Sequence, residues 1–219
     1  ELTGVFNRRF FDAAIEREAK QAMRRNREFS LLILDIDNFK KINDTHGHTT
    51  GDAVISALGK LLKRSIRSED TPCRIGGEEF AVLLPETGID GAMVVSEKIR
   101  SEFSKLKITS TDLSLSGGLA TFPGDAAGAA ELIDRADQML YFAKYSGKNR
   151  IICYSQNKRR HIRFPFEWEL SVVKNNGSAG KTRSQDVSIE GISFEIDEVA
   201  EPGELMSLHL NIDSEAVEL

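Results

Sequence analysis

Pro72-Cys73-Arg74-Ile75-Gly76-Gly77-Glu78-Glu79-Phe80-Ala81-Val82-Leu83-Leu84 holds two strand-like runs separated by a glycine pair. Paired glycines tolerate the positive φ of a tight turn, so the segment reads as a β-hairpin. Upstream, residues 30–36 contain Leu31-Leu32-Ile33-Leu34 without polar alternation, which predicts a strand covered on both faces. Between these lies a helix with Val54, Ala57, Leu58, Leu61 and Leu62 on one face and Asp52 as its N-cap. Residues 6–25 repeat Phe11, Ile15, Ala19 and Met23 as an amphipathic helix. After the hairpin come a helix with Met93, Val94 and Ile99, a strand near 113–119 alternating Leu113/Ser114/Leu115/Ser116, and a helix with Leu132, Ile133, Ala136, Met139, Leu140 and Ala143. The strand Ile151-Ile152-Cys153 closes the series. From residue 30 this order contains the β-α-β-β-α-β pattern of a ferredoxin-like sheet, an α+β fold.

The chain of 219 residues, 40% hydrophobic and 29% charged, belongs with globular proteins rather than disordered or fibrous ones, and its length suits one large domain or one plus a smaller partner. A net charge of -5 argues against broad nucleic-acid coating, so no nucleic-acid partner is expected. Its longest apolar run is far short of the ~20 residues that span a bilayer, and no membrane segment is expected. Cys73 and Cys153 sit in no C-x-x-C or Cys/His cluster, which argues against a disulfide scaffold or zinc module and for a reducing, cytoplasmic setting. The opening Glu1-Leu2-Thr3-Gly4, with no initiator Met and no signal-peptide pattern, leads us to expect a segment of something longer.

Asp35 and Asp37 end one strand, and Glu78 and Glu79 begin another. If the strands are neighbours, the carboxylates converge at one edge as hard oxygen ligands for Mg²⁺ that also holds substrate phosphates. Surface strand-end acids are the alternative. The glycine pair favours the former, because it leaves a patch without side chains where a phosphate or base can approach the backbone. Residues 38–52 read as a polar loop whose lysines suit phosphate and whose Asn, His and Asp suit a polar ring.

Leu2-Thr3-Gly4-Val5-Phe6-Asn7-Arg8-Arg9, Asp35-Ile36-Asp37-Asn38-Phe39-Lys40, Asn43-Asp44, Gly47-His48, Gly51-Asp52 and Gly76-Gly77-Glu78-Glu79-Phe80 together resemble the GGDEF family of diguanylate cyclases, in its GGEEF variant, which the family counts as active. Ser116-Gly117-Gly118-Leu119-Ala120 and Ala143-Lys144-Tyr145-Ser146-Gly147-Lys148-Asn149 extend the resemblance in the same order. It implies a nucleotide-cyclase palm over residues 1–154 that condenses two GTP into cyclic di-GMP and two pyrophosphates. The resemblance makes Asp35, Glu78 and the main-chain carbonyl of Ile36 ligands of Mg²⁺, or Mn²⁺ in its place, with Glu78 also the proton acceptor and Glu79 and Asp37 supporting acids. Asn43 and Asp52 would meet the guanine edge, with His48 near the nucleoside. Lys40 and Lys144 would reach the phosphates, and Gly76 and Gly77 would leave room for them. A two-fold symmetric product needs two facing sites, hence a homodimer. Arg67-Ser68-Glu69-Asp70 resembles the family's inhibitory RxxD site, with Arg67 and Asp70 binding the product.

After Tyr154 no helical period is visible. Residues 155–158 read as a polar linker, 174–180 as turn material, and 167–173, 182–186, 191–196 and 205–212 as strands of a small all-β module spanning 155–219. Arg159 and Arg163, with Asp186, Ser188 and Gly191 in a [D/N]-x-S-x-x-G pattern, resemble a PilZ domain, a β-barrel receptor for cyclic di-GMP, shortened at its end. The expected function is therefore a cyclase with product feedback and sensing. Its rivals are a receptor that binds the dinucleotide without useful turnover and a palm-type nucleotidyl transferase acting on other substrates.

Overall fold

A computed structural model describes residues 2–154 and, beyond them, backbone strands at 164–165, 169–174, 179–188, 191–194, 206–212 and 215–218. The chain forms two units, Glu1–Lys158 and Arg159–Leu219.

The first unit is built on a mixed sheet of β1 (Phe6–Asn7), β2 (Phe29–Ile36), β3 (Thr71–Arg74), β4 (Glu79–Pro85), β5 (Leu115–Phe122) and β6 (Ile151–Cys153), in the order β1-β3-β4-β2-β5-β6. β3, β4, β2 and β5 pair antiparallel in succession, while β1 and β6 join parallel at the two edges. This is the palm-like α+β arrangement expected, widened by a strand at each edge.

Every residue of β2 is buried. Because successive side chains alternate, Phe29, Leu31 and Ile33 enter one apolar cluster and Leu32, Leu34 and Ile36 the other. Helices α1 (Arg8–Arg25) and α5 (Ala129–Tyr145) cover the first face. The second is covered by α3 (His48–Ser65) and α4 (Ile89–Ser104), with Ile42 and Phe39 of α2 (Phe39–His46) at its margin. The same alternation fixes the site: Asp35 continues the series facing α5, and Glu79 lies opposite it in register on β4.

Residues 38–52, expected as a loop, form α2 and the first turn of α3. Gly47, at φ 82, separates the two helices, and its carbonyl accepts from the amides of Thr50 and Gly51. Asp52 therefore lies inside α3 and is not its N-cap. α1 begins at Arg8 rather than residue 6, capped by the Asn7 side chain, which accepts from the Phe10 amide. Met23, expected on its buried face, is 65% exposed. A four-residue repeat drifts about 40° per step on a helix of 3.6 residues per turn, so Ala14 and Ala22 complete the face instead. Val94 is likewise exposed, and Ala92, Ser96, Ile99 and Phe103 are the buried positions of α4. β5 is buried throughout rather than alternating, because α5 covers one face and the α4 side the other.

Gly118 permits the close seating of α5 on β5. A Cβ there would lie 1.9 Å from the Ala136 carbonyl oxygen and 2.3 Å from the Leu140 amide nitrogen, both backbone atoms that cannot turn aside. Gly118→Ala is expected to cost about 3 kcal/mol, toward the upper end for overpacking, read as a lower urea midpoint.

The second unit comprises β7 (Phe164–Pro165), β8 (Glu169–Lys174), β9 (Ala179–Ser188), β10 (Gly191–Phe194), β11 (Met206–Ile212) and β12 (Glu215–Glu218). They pair antiparallel along β10-β9-β8-β11-β12, with β7 also on β9. The first half of β9 pairs β8 and the second half pairs β7 and β10. β9 includes residues 179–180, which were expected to turn, and β12 extends the module past residue 212. Among the described residues no pairing joins β10 to β12. No helix of the described residues is long and apolar enough to cross a membrane.

Candidate active site

Three elements meet at the end of the sheet where β2 leaves the core. Asp35 is buried, and its Oδ2 lies 2.8 Å from the ammonium of Lys144 on the last turn of α5. Its carboxyl is pushed up to about 6, first by burial and then by the neighbouring charges of Glu78 and Glu79, with Lys144 opposing. One buried carboxylate thus shares its surroundings with two further carboxylates and a single ammonium.

Glu78 and Glu79 follow the turn at Gly76-Gly77. The Ile75 and Gly76 amides donate to the Glu79 carbonyl at 2.9 and 3.2 Å, which closes the turn. Neither glycine adopts a positive φ, contrary to the expectation for a glycine-pair hairpin. Crowding explains Gly76 instead. A Cβ on Gly76 would lie 2.3 Å from Glu79 Oε2, whereas one on Gly77 would meet nothing within 4 Å. Gly77 therefore leaves an open surface beside the acids. Arg74, which sequence reasoning passed over, braces this turn: its Nη2 donates to the Gly77 carbonyl at 2.7 Å and its Nε to Gly76 and Gly77 at 3.2 and 3.1 Å.

Asp37, expected as a supporting acid, is hydrogen-bonded within the protein. It is buried, its Oδ1 accepts from Ser116 Oγ at 2.6 Å, and its Oδ2 accepts from Ser114 Oγ at 2.7 Å and the Asn149 amide at 3.0 Å. Both oxygens are committed to the protein. Asp137 on α5 was also missed: its carboxyl is raised by desolvation, then by Glu79 and Asp134, with Arg8 opposing. Its signal was available, since positions 137 and 144 lie seven apart on one helix face. Among the described residues no three His, Cys, Asp or Glu side chains cluster closely enough to hold a metal by themselves.

Asn43 of α2 faces Gly51 of α3 so closely that a Cβ at Gly51 would lie 1.9 Å from Asn43 Oδ1, an oxygen with no hydrogen-bond partner. His48, Asp52 and Lys40 are exposed on the same two helices. Asp70 is also buried, with Oδ2 accepting from the Arg67 amide at 2.8 Å and Oδ1 unpartnered. It lines a groove of about 270 Å³ with Val5, Phe6, Lys63, Arg67 and Pro72, separate from the acids. Asp186 and Ser188 lie on β9 and Gly191 on β10, where Ser188 pairs Gly191 and Asp186 pairs Ser193. Arg159 and Arg163 lie outside the described residues.

The family model for "Diguanylate cyclase, GGDEF domain" matches residues 1–150. YhcK of Bacillus subtilis is 44% identical over 163 residues, covering 72% of this chain and 45% of that protein. The diguanylate cyclase DosC of Escherichia coli is 39% identical over 155 residues, covering 68% of this chain and 34% of its own. This chain thus spans less than half the length of these curated relatives. The GGDEF domain of DgcB from Caulobacter crescentus, solved in complex with c-di-GMP, is 34% identical with a TM-score of 0.65, covering 71% of this chain and 94% of that one. The matched residues include strands β1 to β5, the acids at the sheet's end and the helix that carries Lys144, and by that match the chain belongs to the GGDEF family.

Proposed function

We propose that the chain condenses two GTP into cyclic di-GMP with release of two pyrophosphates. The observation that carries this reading is the buried Asp35 beside Glu78 and Glu79, paired with Lys144 and flanked by the open face of Gly77. In each half-reaction a ribose 3′-oxygen bonds to the α-phosphorus of the facing nucleotide, the α–β phosphoanhydride bond breaks, and the hydroxyl proton passes to Glu78. Lys144 and Lys40 balance phosphate charge. Two such sites must face each other, so the working species is a homodimer.

The donor set fits a hard divalent cation, Mg²⁺ or Mn²⁺. Asp35, Glu78 and the Ile36 carbonyl would hold it, and the surplus of carboxylates over cations around Asp35 is a charge that such an ion complements. When bound, it would lower the hydroxyl pKa and neutralise phosphoryl oxygens.

Guanine fits the α2–α3 pair. Asp52 offers an exposed carboxylate and Asn43 a half-buried amide, and the guanine edge presents N1–H and N2–H donors. Adenine presents an acceptor at N1, which a carboxylate repels. Exchange of GTP for ATP should therefore abolish product; equal turnover of ATP would make the chain a nucleotidyl transferase of another specificity.

The orphan Asp70 oxygen beside exposed Arg67 supports product binding in that groove. Arg67→Ala is expected to raise the cyclic di-GMP concentration for half-inhibition by about tenfold or more, measured by initial rates with added product. Unchanged inhibition would move feedback to the PilZ-like module, where Arg159, Arg163, Asp186, Ser188 and Gly191 would form a second dinucleotide site.

A further inference from the structure

Asp37 lies two residues beyond Asp35, yet it faces away from any role as a free acid. Its two oxygens gather two segments: Ser114 and Ser116, just before and just inside β5, and the Asn149 amide in the connection from α5 to β6. Its own amide donates to the Ser114 carbonyl at 3.0 Å. The connection so gripped is unusual. Lys148 and Asn149 are consecutive residues with φ of 61 and 48, a left-handed conformation that side chains disfavour.

Further bonds tie down this connection. The Lys148 ammonium donates to Asn38 Oδ1 at 2.6 Å, and Asn38 is itself left-handed, at φ 56. The Lys148 amide donates to the Ala143 carbonyl, and Asn149 Oδ1 accepts from Arg100 Nη1 at 2.7 Å. Lys144, paired with Asp35, sits at the other end of the same short stretch. Three hydrogen bonds fill three of the about four acceptor positions of this buried carboxylate, so a cation drawn to it would have to share an oxygen already bonded within the protein.

We infer that Asp37 is a positioning residue: it fixes the segment carrying Lys144 and Lys148 against the strand end carrying Asp35, and so sets affinity for the triphosphate rather than for the metal. The inference rests on the GTP reading above, and its test is a binding measurement that does not require turnover.

The experiment titrates the full chain with a non-hydrolysable GTP analogue, and separately with Mg²⁺, alongside chromatography for cyclic di-GMP. Asp37→Asn is expected to weaken analogue binding roughly tenfold with the Mg²⁺ requirement unchanged. Adding Asn149→Gly should recover part of that loss, because glycine adopts the left-handed conformation without strain and no longer depends on the carboxylate. Loss of a metal ligand would not be recovered this way. Should Asp37→Asn fail to fold, Ser114→Ala removes a single bond and should weaken binding two- to threefold in the same direction. A tenfold rise in the Mg²⁺ requirement, or analogue affinity equal to wild type in these variants, overturns the inference. Weakened binding in a chain that makes no cyclic di-GMP leaves the inference standing and overturns the cyclase reading instead.

Discussion

Glu78→Ala is expected to lower cyclic di-GMP formation by about 10³-fold or more, with the melting temperature close to that of wild type. Glu78 belongs to neither apolar cluster, and it precedes β4 rather than pairing within it, so its removal opens no cavity. What the substitution removes is the candidate proton acceptor and one of two side chains that would hold the cation. Turnover in the variant within tenfold of wild type, measured by product chromatography, would dismiss Glu78 from both roles.

The second large effect belongs to Asp35, and it has opposite signs for activity and stability. Asp35→Asn should abolish turnover as Glu78→Ala does. The metal-free fold should nonetheless gain stability near neutral pH. The carboxyl titrates at 3.8 ordinarily and at about 6 in the fold, so the folded chain holds its proton more tightly than the unfolded chain does. Stability from this group is therefore lost as pH rises from about 3.8 to about 6, and above that range ionised Asp35 costs the fold about 3 kcal/mol. Asparagine removes that slope, though it also weakens the contact with Lys144, so a gain of about 1–2 kcal/mol is expected near neutral pH. Added Mg²⁺ should raise the melting temperature of wild type and leave that of the variant unmoved. A variant less stable than metal-free wild type across the range, with an unchanged pH slope, would mean that burial does not strain Asp35.

The parts of the fold that sequence made legible are those governed by apolar pattern. Leu31-Leu32-Ile33-Leu34 has no polar alternation, and both faces of β2 are covered. Leu132, Ala136, Met139, Leu140 and Ala143 recur at helical spacing and are all buried in α5. Where polarity dominates, the pattern is silent: α2 buries only Ile42, so its helix was hidden in what read as a loop. The glycine pair marked the turn correctly though neither glycine has a positive φ: Gly76 is crowded by Glu79, and Gly77 leaves open space.

In the site, strand register and parity bring Asp35 and Glu79 together, and the pairing of Asp35 with Lys144 spans more than a hundred positions. In the sequence the acids meet only if their two strands are taken as neighbours, and nothing in the spacing announces the contact of Lys144 with Asp35. Arg74 escaped, and the partners of Asp37 went unforeseen, for a related reason. Their work is done through backbone carbonyls, hydroxyls and an amide, groups that every sequence offers everywhere.

The central claim is turnover of GTP to cyclic di-GMP by this chain, and chromatography of the nucleotide-stripped protein incubated with GTP and Mg²⁺, with its dimerisation enforced by fusion to a dimeric helix, tests it most directly. The account predicts cyclic di-GMP and pyrophosphate in a one-to-two ratio. Absence of product from the enforced dimer, with cyclic di-GMP still bound, would contradict it and leave a receptor.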